Sequence, residues 1–333
     1  MNAQRIVKSY AASVLLVVLL SLNGFTQEDR TPTITKTFDM DQPGTLNAKS
    51  SGGGVEVIAQ DQKKVVVQVF IRKNFKVLPP SDPAIDDVLE DYDLDIDKNG
   101  SVINAIVERK SRFTPWNNAG ISLIITVPRE MSCNVSSSGG GLRISGVEGS
   151  HNFTSSGGGV HLENTTGTTK ASSSGGRVTA TNHTGDINLN SSGGGVSLDG
   201  ARGTVYAHSS GGAVHLNNIN GDVDAGSSGG GVTVNGEAGY VKARSSGGSV
   251  HVDISGLSKE LHLESSGGGV DATIRNGDKL GLDLDLSSQK VNIELHNFSG
   301  RVEKNYVRGT LNNGGIPVYM HASGGNINVR FED

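Results

Sequence analysis

The sequence predicts an all-β protein: a single-stranded parallel β-solenoid of 18-residue, two-strand coils, read as right-handed, with a β-rich cap at each end. Three observations carry this. The tetrapeptide Ser-Ser-Gly-Gly starts at Ser137, Ser155, Ser173, Ser191, Ser209, Ser227 and Ser245, each 18 residues after the last, and again at Ser265. Between these corners apolar residues come in alternating pairs, such as Val196 and Leu198 followed by Val205 and Ala207, which is the period of a short strand with one buried face. A glycine also recurs between the pairs, at Gly167, Gly185, Gly203, Gly221 and Gly239, dividing each coil into nine-residue halves.

From the N-terminus, residues 1–26 read as a secretory signal peptide. Arg5 and Lys8 precede an apolar run from Ala11 to Leu22, followed by small and polar residues. The run is short for a membrane span, so the expectation is an exported chain with no stable span after cleavage, in the periplasm, at the cell surface or outside the cell. Residues 27–136 read as an N-terminal β-rich cap and first coil. A first corner falls at Ser50 to Gly54, and strands are expected near Val65 to Lys73, Tyr92 to Asp97, Ser101 to Lys110 and Ile121 to Val127. Between them Asn74 to Glu90, with Pro79, Pro80 and Pro83, reads as a surface loop. Residues 137–286 are the regular solenoid, and 287–333 are irregular coils and a C-terminal cap. Aromatic residues collect in the two flanks, among them Phe70, Phe75, Tyr92, Phe113 and Trp116 before the repeat and Phe298, Tyr306, Tyr319 and Phe331 after it.

Other repeat folds fail on arithmetic, because propeller blades need about 40 residues and leucine-rich repeats about 20 to 29. A hexapeptide left-handed helix needs an inward residue every six, whereas the inward spacing here is 2, 7, 2, 7. A single coil buries too little apolar surface to offset the ordering of its own backbone, so the coils must stack. Glycine at the Ser-Ser-Gly-Gly corner is expected to supply positive φ or close backbone approach, and the serines to form hydroxyl columns. Cys133 is the only cysteine, which leaves stability to packing and hydrogen bonds. Losing Arg5 and Lys8 takes the formal net charge from −5 to −7. With no concentrated basic patch, nucleic acid and anionic membrane are poor partners.

The signal-like segment, the lead-in Ile121-Ser-Leu-Ile-Ile-Thr-Val-Pro128 and the repeated Ser-Ser-Gly-Gly-x-Val units together resemble the bacterial candidate-adhesin family of the toast-rack group. The resemblance runs from about Thr33 to Asp333. It implies an exported β-solenoid of uncharacterised biochemical role, and it implies no catalytic residues.

The residues themselves point to no cofactor, no metal and no catalytic set. β-Roll calcium sites need an aspartate at each corner, and here the corners read Ser-Ser-Gly-Gly-Gly-Val. Asp95-Ile-Asp-Lys-Asn-Gly100 opens like an EF-hand loop, but its twelfth position is Ile106, so a hairpin is the better reading. Carbohydrate-cleaving β-helices place paired acids on the outer face, and Asp186, Asp199, Asp222 and Asp224 form no such pair in sequence. His161, His215 and His251 share the outward position between paired apolar residues, and they are the candidate binding face. Two functions follow as expectations. One is a non-catalytic adhesin or envelope binding scaffold, whose partner is a glycan polymer or cell-surface protein. The other is a structural or self-assembling envelope protein.

Overall fold

The computed structural model describes residues 31–110 and 119–332. The signal-like segment, Phe113 and Trp116 lie outside them. The repeat forms two parallel ladders joined by corners. One ladder stacks Val178–Thr184, Val196–Arg202, Val214–Asn220, Val232–Glu237 and Val250–Ser255. The other stacks Ile187–Ser191, Val205–Ser209, Val223–Ser227 and Tyr240–Ser245. The pairing holds one register because most coils have the same length: Val196 lies beside Val214, and Val214 beside Val232. Val214 and Leu216 are buried and His215 is exposed, as strand alternation requires.

The inward pattern contains a position that the spacing 2, 7, 2, 7 leaves out. Val147, Thr165, His183, Ala201 and Ile219 are all buried at the looser corner. The residue before each is Gly146, Asn164, Asn182, Gly200 or Asn218, and each of these has a φ between 52° and 76°. One left-handed residue resets the alternation, so its successor turns inward. Glycine and asparagine are the residues that adopt this conformation at least cost, and their recurrence every 18 residues was readable in the sequence.

At the fixed corner the first serines do stack in register from coil to coil, and their hydroxyls bond the corner backbone. The first serine of each tetrapeptide is buried and bridges backbone to backbone. Ser209 Oγ accepts from Gly212 N–H at 2.9 Å and donates to the Gly194 carbonyl of the preceding coil at 2.7 Å. Ser173, Ser191, Ser227 and Ser245 repeat the arrangement. The corner backbone has left the strand ladder, so its N–H and C=O groups need a side-chain partner, and one hydroxyl serves both. The corner glycines have no positive φ. They are there for close approach, since a Cβ on Gly176 would come within 2.4 Å of Gly159 N. Ser209→Ala should therefore cost about 1–3 kcal/mol by leaving both corner groups without a partner, whereas Ser210→Ala, at an exposed position, should be near neutral. Urea titration of the two variants checks this.

The ends of the stack depart from chain order. Gly44–Ser50 and Val55–Gln60 form a coil that lies between Val102–Arg109 with Ala119–Pro128 on one side and Met131–Ser137 with Leu142–Ser145 on the other. At the far end, Glu260–Ser265 and Val270–Arg275 pair with Ile316–Ala322 and Ile327–Glu332, not with Leu282–Ser287, which is the next strand in sequence. Leu282–Ser287 lies outside Ile316–Ala322. The regular stack in chain order thus ends near Arg275, short of 286. Each terminal segment gains a hydrogen-bonded neighbour on both sides, which protects a chain end from fraying. Asparagine ladders mark both insertions: Asn134 to Asn47 to Asn104 at one end, and Asn292 to Asn328 to Asp271 at the other.

Antiparallel strands then close the edges. Lys64–Lys73 pairs with Ala119–Pro128 and with Ile34–Asp39, while Tyr92–Asn99 pairs with Val102–Arg109 around a turn at Gly100 and Ser101. The EF-like stretch is thus a hairpin. The expected loop 74–90 instead contains a short strand, Lys76–Val77, and a helix, Ala84–Asp91. Pro83 suits the start of that helix, Asp86 and Asp87 sit in its first turn, and Ile85, Val88 and Leu89 turn one apolar face to the core.

Candidate functional site

His161, His215 and His251 lie on one outward row of the first ladder, in register with Thr179, Ser197 and Thr233. The row is shared, but no two of these histidines occupy adjacent coils. His215 and His251 are two coils apart, about 10 Å by strand spacing, so they form no joint site. His161 is half-buried and meets Thr179 Oγ1 through Nδ1 at 2.7 Å. Burial, and then the nearby Arg143, lower its pKa. Among the described residues no group of three metal-ligating side chains converges.

A better-formed feature lies on the other ladder, beside the fixed corners, and sequence reasoning missed it. A groove of about 490 Å³ runs across the coils from Ser172 to Ser266. Its floor is the exposed second serine of each tetrapeptide, such as Ser192, Ser210 and Ser228. Its wall is the outward residue just before each corner, the register-matched series Asn190, His208, Gly226, Arg244 and Glu264. Gly226 leaves a gap in that wall, and His208 leans over it, since a Cβ there would meet His208 Nδ1 at 2.6 Å. One row further out stands Tyr206, 45% exposed. The clue in the sequence was the residue before each Ser-Ser-Gly-Gly. It varies in charge from coil to coil, and a reading aimed at repetition passes over variation.

The acids considered for hydrolysis are each engaged separately. Asp222 binds Lys259 at 2.6 Å, Asp199 accepts from Asn218 at 2.7 Å, Asp186 caps the Thr204 N–H at 3.3 Å, and Asp224 lies 3.7 Å from His208.

Two histidines face the interior. His151 follows Cys133 and precedes Thr169 in one inward column, and His183 follows Thr165 in another. His183 Nδ1 meets Thr165 Oγ1 at 2.9 Å, and His151 Nε2 meets the Thr166 carbonyl at 3.3 Å. His151 Nδ1, His183 Nε2 and Thr169 Oγ1 are buried without a partner. Burial lowers both imidazole pKa values, that of His151 to about 4, and pushes the Cys133 thiol up to about 12. This cluster is sealed inside the coil, which makes it a feature of stability and not a binding site.

A family model described as Toastrack DUF4097 matches residues 94–330. The chain belongs to the Toastrack family. Among solved structures, this Toastrack chain is similar to a candidate adhesin from Bacteroides fragilis NCTC 9343, at 15% identity and a TM-score of 0.40 over 89% of this chain and 96% of that one. It is also similar to a candidate lipid binding protein from Parabacteroides distasonis ATCC 8503, at 9% identity and a TM-score of 0.38 over the same shares. A candidate cell adhesion protein from Clostridium sporogenes ATCC 15579 aligns at 13% identity and a TM-score of 0.20, over 91% of this chain and 100% of that one. No curated protein matches the chain. A shared fold by itself assigns no activity.

Proposed function

We propose that this Toastrack chain is a non-catalytic, exported binding scaffold of the cell envelope that holds an extended glycan polymer along its serine groove. The groove carries the reading: a long, rigid, polar channel whose floor repeats at each coil while its wall changes from Asn190 to His208 to Arg244 to Glu264. A repeated floor offers a polymer many weak, additive hydroxyl contacts, and a varied wall gives those contacts direction. Tyr206 adds an apolar surface with a polar tip, suited to the face of a sugar ring. The signal-like segment 1–26 supports export.

The test is capture on a glycan array, with the melting curve recorded alongside. Replacing Asn190, His208 and Arg244 together by Ala should weaken capture at least about tenfold, the loss of a few weak polar contacts, while the melt stays in place. The triple variant of His161, His215 and His251 should still bind. If the second triple loses capture and the first does not, the binding face belongs on the other ladder. If neither binds differently from the parent, or the parent retains no glycan, the proposal fails. Proteolysis of intact cells, with N-terminal sequencing of the envelope fraction, tests export: an intact Met1 start in the cytoplasm would refute it.

A further inference from the structure

The outer face of the second ladder gathers side chains that the rest of the repeat lacks. Between residues 137 and 286 the aromatic side chains are Phe153, Tyr206 and Tyr240. Phe153 is buried in the core, whereas both tyrosines stand outward beside one carboxylate. Tyr206, Asp224 and Lys242 follow one another in a single outward row, on successive coils about 4.8 Å apart. Tyr240 precedes Lys242 by two residues on the same face of the same strand. Burial first, then the charges of Asp224 and Glu260, raise the Tyr240 phenol pKa, in keeping with that placement.

Asp224 is the exception among the outward aspartates here. Asp186, Asp199, Asp222, Asp253 and Asp271 each accept a hydrogen bond from the chain. Asp224 accepts none: its Oδ1 is enclosed without a hydrogen-bond partner, and His208 Nε2 lies 3.7 Å from it, beyond hydrogen-bond reach. Among the described residues its neighbour Lys242 forms no ion pair. The next residue in the row, His262, is engaged, since it meets Glu264 at 3.0 Å and packs on Tyr319. A carboxylate and an ammonium without partners therefore stand side by side, with a phenol ring on each flank. Unpaired polar groups at such a place call for an explanation. A carboxylate accepts from hydroxyls, an ammonium donates to them, and a sugar hydroxyl does both. The apolar face of a pyranose ring suits a tyrosine ring. Because Asp224 and Lys242 balance in charge, an uncharged ligand satisfies both. A uronate would meet Asp224 and Glu260, and an ammonium would meet Lys242.

We infer that Tyr206, Asp224, Tyr240 and Lys242 form a subsite for one neutral pyranose residue that presents adjacent hydroxyls. The inference rests on the glycan reading of the groove, whose wall residue His208 stands beside Asp224, and it names the class of sugar: neutral units, not acidic or amino sugars.

The experiment is retardation of the full chain in native gels cast with a neutral glucan, mannan or galactan, with polygalacturonate, or with chitosan. The parent should be retarded by a neutral polymer and not by the charged ones. Tyr206→Ala and Asp224→Ala should each weaken retardation about three- to tenfold, with melting curves that match the parent's. Lys170→Met, which removes an exposed cation from the same row two coils from Tyr206, should bind as the parent does. Stronger retardation by polygalacturonate or chitosan, parent-like binding by Tyr206→Ala and Asp224→Ala, or an equal loss in Lys170→Met would overturn the subsite. If the two single variants bind like the parent while the Asn190, His208 and Arg244 triple loses binding, the groove stands without this subsite. If the single variants lose binding and the triple keeps it, the subsite stands and the groove reading fails. A parent retarded by no polymer would overturn both.

Discussion

Val214→Asp should destabilise the chain by more than about 4 kcal/mol, the range reached when an unpaired charge is placed in a core. Val214 is fully buried, with Val196 and Val232 on either side of it in the same column. A carboxylate there lies in a column between Val196 and Val232, and among the described residues no Lys or Arg is buried. Because each coil leans on its two neighbours, the damage should spread beyond one coil. The expected result is a large fall in the melting midpoint and new protease cuts in the coils on either side. His215→Ala, one residue away and outward, should change stability by less than about 0.5 kcal/mol. Similar melts for the two variants would mean that the in-and-out assignment of this strand is wrong.

Acid should weaken the fold through its interior histidines. The His151 imidazole titrates at about 4 in the folded chain because burial disfavours its charged form, against 6.5 for the free side chain. The unfolded chain therefore takes up a proton at a pH where the folded chain does not. The contribution is fully present above pH 6.5, is lost as the pH falls from 6.5 toward 4, and levels off below that. For His151 alone the loss amounts to about 3 kcal/mol, and His183, shifted in the same direction by burial, adds to it. Urea titrations between pH 7.5 and 5 should show stability falling with acid, above the range where most carboxylates titrate. The double variant His151→Val, His183→Ala should flatten that slope, since valine and alanine are the residues that other coils place in these columns, as at Val205 and Ala201. A slope equal to the parent's would remove these histidines as its cause.

How much of this was legible in the sequence depended on whether the information lay in period or in partner. The 18-residue spacing of Ser-Ser-Gly-Gly implied parallel coils in constant register, because strands of equal coil length can repeat only by stacking, and the observed pairing of Val196, Val214 and Val232 follows from it. Alternation placed Val214 inward and His215 outward for the same reason. The inward His183 escaped because the left-handed Asn182 resets the alternation, and period-two reading assumes an unbroken strand.

The candidate groove was equally hidden, since its wall is a set of unlike residues that become neighbours only when their coils stack. The helix Ala84–Asp91 was masked by the prolines before it, whose last member starts the helix instead of forbidding it. By itself, then, the sequence determined the repeat, the two ladders and the in-and-out sense of most strands. The tertiary structure alone decided which coil follows which at the ends, placing 44–60 and 316–332 inside the stack. Strand pairing is made by backbone groups common to every residue, so a sequence can mark a strand without naming its neighbour. The choice fell to the side chains that meet across the ladder, such as Asn47 between Asn104 and Asn134, and to the gain of two neighbours for segments that would otherwise have one.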